Sequence, residues 1–350
     1  MTASKYRQRG AALLMAMLTV TLVATFAAAS LWQQWRSVEV ETAERARVQA
    51  SWVLTGALDW ARLILREDAR SGGSVDHLGE PWAVALQESR LSTFLAADRN
   101  NTGEQHDDTD AFLSGQIIDQ QSRLNITNLI DGTKVSEVSY NAFNRLFEQL
   151  NLPPRELALM VDKLRLAAEA NVVAVVSTST GASSNSSNAS SGDGASTSSA
   201  GSTLVLMPQR AEQLGWLGLS PPTVAALQPF VTVLPSRTAV NLNTASVEVL
   251  QASIPGVGRS DAQRLATARA RSPFRTVADA KALLGQNAAQ LSDSEHGVSS
   301  RFFEVQGRLR VGTTMVVEHS LVQRDGINVI TRWRARSATD PAANALAAAR

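Results

Sequence analysis

The sequence predicts an α+β protein in which a long N-terminal transmembrane helix leads into antiparallel strands interrupted by a large helical insert. Three observations carry that expectation. An uncharged, proline-free run, Ala11–Leu31, is followed by helical periodicity that does not stop where the run ends. Strand-like alternation appears near Ser114–Asp131 and returns in Arg301–Arg336. Between those two stretches the sequence is mostly helical in pattern.

Composition narrows the classes. Apolar residues are 44% of the 350, enough for a substantial core, and the net charge of +1 excludes a polycation built as a whole for nucleic acid. Zero cysteines exclude disulfides, zinc–thiolate sites and thiol catalysis. The four histidines, His77, His106, His296 and His319, are scattered with no H-x-x-x-H pair. There is no G-x-S-x-G, no P-loop and no dinucleotide fingerprint, so nothing points to an enzyme.

Lys5, Arg7 and Arg9 precede the apolar run, which at about 1.5 Å per residue can span a hydrocarbon slab of about 30 Å. Cations on the short N-terminal side predict a cytoplasmic N-terminus, with Trp32 and Trp35 at the far interface. Three fates fit the segment: a signal peptide cut at an A-x-A site (Ala27–Ala29), an uncleaved anchor, or a cut on the cytoplasmic side after Gly10.

Beyond the run, Trp35, Val38, Thr42, Ala46, Val53, Ala57, Trp60 and Ile64 recur at helical spacing, and Gly72–Gly73 marks an end. Leu13 to Arg70 reads as one helix, half in lipid and half packed on a head. "SGQIIDQQSRLNITNLID" (Ser114–Asp131) reads as a strand pair, Gln116–Ile118 with Arg123–Ile126. Asn141–Leu150 and Glu156–Ala170 read as helices, the second with Pro154 suited to its first turn. Ser177–Ser202 is Ser/Thr/Gly/Asn-rich and reads as a surface loop. "EQHDDTD" (Glu104–Asp110) reads as a solvated acidic loop.

Ala239–Gly285 carries the most specific soluble motif. A helix capped by Asn243 or Thr244 runs to about Ala252, Pro255–Gly258 makes a tight turn, and Arg259–Arg271 is a second helix. The unit resembles a helix-hairpin-helix. Such hairpins hold a phosphate with backbone N–H groups near their glycines. Arg259, Arg264, Arg269, Arg271, Arg275 and Lys281 outnumber Glu248, Asp261 and Asp279 there. A membrane-anchored DNA receptor is therefore one reading, and a packing unit within a helical domain is the other. Three strands close the chain, with turns at Gly312 and Asp325–Gly326. The residues after Ala338 read as a tail.

A short cationic leader ending in Gly10, followed at once by an apolar helix, resembles the leaders of type IV pilins and type II secretion pseudopilins. Ile117, Asp119, Arg123, Asn125, Asn128 and Leu129 match the I-x-D-x-x-G-R-x-N-x-N-N-L pattern of K-type pseudopilins, with Ser122 in place of the Gly. Trp60, Asp68, Asp76, Trp82 and Ala83 match the segment upstream. The chain thus resembles the K-type minor pseudopilins of type II secretion. The resemblance implies a pilin-like sheet and cleavage by a prepilin peptidase between Gly10 and Ala11, with methylation of the new amine on Ala11. It also makes Met15 a determinant of filament position. The family Glu at that place is thought to pair with a neighbouring subunit's N-terminal amine, and its absence marks the K type. Implied partners are the I- and J-type minor pseudopilins, the prepilin peptidase and the inner-membrane secretion platform, with no nucleic acid. Implied segments are a leader at 1–10, a transmembrane helix at 11–35, its periplasmic extension at 36–72 and the first part of the head at 73–131. The insert then covers 132–290, the last strands 291–338 and the tail 339–350. No cofactor is expected. Family members are reported to bind calcium through acidic residues of the insert, but "MVDKLRLAAEA" here retains only Asp162.

Overall fold

The computed structural model describes residues 8–71, 75–91, 111–179, 206–285, 291–311 and 314–339. The leader's first residues, Gly72–Gly73, Glu104–Asp110 with His106, the Ser-rich segment from Thr180, the turn at Gly312 and the tail from Asp340 lie outside them.

Helix α1 is continuous from Gln8 to Ser71, 64 residues, so it is about 96 Å long. Its apolar part is exposed throughout and is long and apolar enough to cross a membrane. The hydroxyls of Thr19, Thr21 and Thr25 each donate to the carbonyl three residues back, at 2.8–2.9 Å. These three hydroxyls are thereby satisfied within the helix, as a lipid environment requires. Farther along, Ala50, Leu54, Leu58, Ala61 and Leu65 form the buried stripe. The residues whose recurrence marked the helix lie beside this stripe: Trp60 is 43% exposed, while Val53, Ala57 and Ile64 flank the seam. Leucine and alanine, rather than the indole, face the sheet because the contact is close. A Cβ on Gly307 would stand 3.0 Å from Leu54 Cδ2.

The sheet has five antiparallel strands in the order β1 (Leu86–Arg90), β2 (Ala111–Asp119), β9 (Phe302–Val311), β10 (Thr314–Asp325), β11 (Asn328–Thr339). Strand β2 pairs with β9 in a register that sets Gly115 opposite Gly307. A Cβ at Gly115 would meet the Gln306 carbonyl at 2.9 Å, so Gly115 has no room for a side chain, whereas at Gly307 only the Leu54 side chain would have to give. The turn joining β10 to β11 uses Gly326 at φ +58°. Helix α1 lies across one face: Leu54 packs near Leu113 and Leu309, and Leu58–Leu65 near Phe303, Val305 and Val322. The strand ends that carry Asp119 and Phe302 therefore lie farthest along α1 from its apolar stretch.

The chain leaves the sheet at Asp119 and rejoins it at Phe302. The expected hairpin of Gln116–Ile118 with Arg123–Ile126 does not form. Instead Gln120–Ser122 turns as a 3-10 helix, and β3 (Leu124–Asn125) pairs in parallel with β6 (Val231–Thr232). The polar run between the two apolar stretches is not a solvent turn, because Gln120 and Gln121 are buried and bonded across the molecule. A small pair, β4 (Ile130–Asp131) with β5 (Lys134–Val135), precedes α2 (Glu137–Gln149). Helix α2 starts earlier than the sequence suggested because Ser136 caps it, its Oγ accepting from Ser139 N. Helix α3 runs from Pro154 to Ser179 and buries Leu157, Met160, Val161, Leu164 and Ala167 at spacings of three and four. With α4 (Pro221–Leu227) and the three helices below, they enclose one large core separate from the core under α1.

Candidate functional site: an anchor and a buried junction

Gly10 and Ala11 lie in the first turns of α1. Met15 lies four residues beyond Ala11, about 6 Å along the helix, and is 68% exposed. An apolar thioether on that face of an anchor needs no partner in lipid, whereas a carboxylate there would.

The head and its insert are tied together at the far end of the sheet. Asp119, the last residue of β2, is fully buried. Its Oδ1 accepts from Gln121 N at 2.8 Å. Its Oδ2 accepts from Asn241 Nδ2 at 3.1 Å, Thr244 Oγ1 at 2.6 Å and Ser300 Oγ at 2.7 Å. Burial pushes its carboxyl up to about 6 even so, since the hydrogen bonds only partly offset desolvation. Asn241 belongs to β7 (Val240–Asn241), which pairs in parallel with β8 (His296–Gly297). Asp76 accepts from Ser300 N at 2.6 Å and pairs with Arg324 of β10 at 2.5 Å. Arg324 also reaches Asp68 of α1 at 2.7 Å and the Ser300 carbonyl at 2.9 Å. Six separate stretches of chain thus converge on one polar knot.

Asn125 and Asn128 form a second tie. Asn125 Oδ1 accepts from Thr127 N and Leu234 N, while its Nδ2 donates to the Ser236 carbonyl at 2.8 Å. Asn128 brackets Thr238, accepting from its N–H at 3.0 Å and donating to its carbonyl at 2.7 Å. Leu129 is fully buried in the insert's core. The motif residues of Ser114–Asp131 are in this way joints rather than a surface. Ser300, Arg324 and Asn241 complete the joints and went unnoticed in the sequence; the N-L-N-T run around Asn241 was legible only as a cap.

Among the described residues, Asp68, Asp76 and Glu80 are brought together, with one oxygen of each within 4.8 Å of the others. Arg324 already neutralises two of them, and Glu80 accepts from Trp82 Nε1 at 2.6 Å. Burial raises the carboxyls of Asp68 and Glu80, the opposite of what a bound cation would exploit. Asp162 is exposed on α3 and joins no group of three such ligands among the described residues. Among the described residues, none of these groups fits a calcium site of the kind that family members are reported to carry in the insert.

The hairpin consists of α5 (Val247–Ser253), a turn with Gly256 at φ +77°, and α6 (Arg259–Arg271), followed by α7 (Val277–Leu284). Its cap is Ser246, whose Oγ accepts from Val249 N, and not Asn243 or Thr244. Those two are used elsewhere: Asn243 clamps Phe274 through its N–H and carbonyl, and Thr244 serves Asp119. Ile254, Val257, Ala262 and Leu265 are buried in the insert's core. Arg259 pairs with Glu248 at 3.8 Å and Arg264 with Asp261 at 2.8 Å. Arg269 donates to the Leu242 carbonyl at 2.6 Å, and burial pulls its guanidinium down to about 10. Asp261 sits in the first turn of α6, where its negative charge opposes a phosphate at the helix N-terminus.

Among the described residues, one membrane-length helix bearing a five-stranded antiparallel sheet, with a helical insert tied to its far end, defines an anchored pilin-like subunit with an enlarged head. The comparisons with known proteins specify which. The two family models for type II secretion system protein K match residues 122–236 and 240–299. The chain is 27% identical over 334 residues to the type II secretion system protein K of Pseudomonas aeruginosa, covering 93% of this chain and 92% of the relative. It is 27% identical over 335 residues to that of Klebsiella pneumoniae, covering 92% and 94%. The chain belongs to the type II secretion system protein K family. Its fold matches a chain in the crystal structure of the GspK-GspI-GspJ complex from the enterotoxigenic Escherichia coli type 2 secretion system. The TM-score is 0.58 at 16% identity, covering 84% of this chain and 98% of that one.

Proposed function

We propose that this chain is the minor pseudopilin at the tip of the type II secretion pseudopilus, an assembly component rather than an enzyme. It acts from a single-pass inner-membrane anchor with its N-terminus cytoplasmic and its head periplasmic. Cleavage between Gly10 and Ala11 leaves α1 embedded until the subunit is extracted, and the new amine on Ala11 is methylated. The anchor at 11–35, its extension at 36–72 and the insert at 132–290 are then a membrane hold, a lateral packing surface and a cap. The observation that carries this reading is the placement of the insert at the sheet end farthest from the apolar part of α1. A bulky mass there obstructs another subunit from stacking above. Met15 supports the same position, since it offers no carboxylate to a neighbour's amine. The partners are I- and J-type minor pseudopilins, in keeping with the three-protein complex whose member shares this fold.

The test is the N-terminal mass of the chain purified from membranes with and without its prepilin peptidase. A methylated start at Ala11 that depends on the peptidase is expected. An intact N-terminus, or a start after Ala29, would remove the subunit from the processed pseudopilins.

A further inference from the structure

The face of the sheet turned away from α1 holds a cavity of about 510 Å³, within the size range of small-ligand sites. Its floor is two cross-strand rows. Ile118, Glu304, Leu321 and Trp333 form one, and Gln116, Gln306, His319 and Ala335 the other. Its wall comes from the insert, through the short helix after Arg210 and the segment Gln228–Val233. Neither the junction nor the anchor uses this cavity.

The cavity's hydrogen-bonding groups do not balance. Its carboxylates are occupied: Glu304 accepts from His319 Nδ1 at 2.7 Å, from Gln306 and from Gln120, and Glu212 accepts from Gln228. Its donors are not. Trp333 Nε1 is buried without a partner. Arg123 lines the same cavity, and among the described residues it makes no hydrogen bond or ion pair. Burial pulls the Arg123 guanidinium below its ordinary value, with Glu304 the leading influence in the other direction. A second guanidinium, Arg210, stands 5.9 Å from the Trp333 ring. Trp333 Nε1 is a buried donor of the kind that is costly when unmatched, while the Arg123 side chain is only half-buried and faces the cavity, so a group that enters beside them meets donors and must bring acceptors. A planar carboxylate matches a guanidinium fork in two parallel bonds, which a single N–H alongside can supplement.

We infer that the outer-face cavity is a binding site for a carboxylate, borne by a small organic acid or by the free C-terminus of a polypeptide, with Arg123 as its anchor and Trp333 Nε1 as a second donor. The site lies between sheet and insert, so occupancy would brace the two against each other.

The experiment uses the full chain in lipid nanodiscs with 15N-labelled indoles, following the Trp333 Nε1–H resonance. The probes are succinate, a short peptide with a free C-terminus, the same peptide amidated, and inorganic phosphate. Succinate or the free peptide is expected to shift the Trp333 signal saturably, and the amidated peptide to leave it unmoved. Which of the two binds more tightly tells a small acid from a chain terminus. Arg123→Gln should weaken binding at least about tenfold, as loss of a charged hydrogen bond implies. Gln116→Glu, an exposed change that adds a like charge beside the site, should also weaken it and covers the case in which the Arg123 variant fails to fold. No shift with either carboxylate at about 20 mM, a weak-binding limit, would overturn the assignment. So would undiminished binding by both variants, or phosphate binding as tightly as carboxylate.

Discussion

Asp119 has four donors aimed at its two oxygens, yet its carboxyl is pushed from 3.8 to about 6 because desolvation outweighs them. His296, buried on the neighbouring β8, is pushed the other way, from 6.5 to about 4, chiefly by desolvation and with Arg145 and Lys281 adding to it. The consequences for stability have opposite signs. As pH falls from 6 towards 3.8 the folded state takes up the Asp119 proton first, so stability rises. As pH falls from 6.5 towards 4 the unfolded state takes up the histidine proton first, so stability is lost. Each gap corresponds to roughly 3 kcal/mol, and the two windows overlap, so in the natural chain they largely cancel. His296→Gln removes one side of that balance. Urea denaturation at pH 6.5 and at pH 4.5 should find the variant gaining on the natural protein at the lower pH. An unchanged difference between the two would mean that His296 is already protonated in the folded state.

At the scale of elements, the hairpin of α5 and α6 decides between packing and recognition. Its apolar side enters the insert's core, and Arg259 and Arg264 are matched by carboxylates on the hairpin itself. Leu265→Ala is therefore expected to cost about 2–5 kcal/mol, against less than about 0.5 kcal/mol for exposed Arg264→Ala, both by denaturant titration. No salt-sensitive binding of duplex DNA is expected; such binding, weakened in the same Arg264 variant, would revive the receptor reading. The hairpin also shows what could be read in advance. Arg259–Arg271 was legible to the residue, because Gly258 and a helical period mark it locally. The α1 helix and the three last strands were legible for the same reason. The strand pairing after Asp119 was not, because β3 finds its partner more than a hundred residues later and no local pattern encodes that. β1 went unseen, since Leu86–Arg90 is mostly polar and mostly exposed. In the site, Asp119 and the two asparagines stood out as a motif. Their partners Ser300 and Arg324 looked like ordinary loop and strand residues until the sheet brought them to one end.

At the scale of the whole molecule, α1 leaves a long exposed stretch between the apolar run and Ala50, the first buried residue of its stripe. Val38, Val40, Val48 and Trp52 are all more than half exposed, which is how a helix looks when its packing partners belong to other subunits. Two features then compete to set where the subunit sits in a filament: the missing carboxylate at Met15 and the mass of the insert beyond the sheet. Met15→Glu separates them. If the insert limits stacking, the variant still occupies one end of the pseudopilus when visualised by immunogold electron microscopy, because a restored pair with a neighbour's amine cannot clear the obstruction above. If the variant decorates the shaft at regular intervals, Met15 alone held the subunit at the tip and the insert is a head without a capping role. One-ended labelling is the expected outcome. The junction at Asp119, Asp76 and Arg324 fastens the insert across several chain segments, so it should resist being pushed aside as the filament grows.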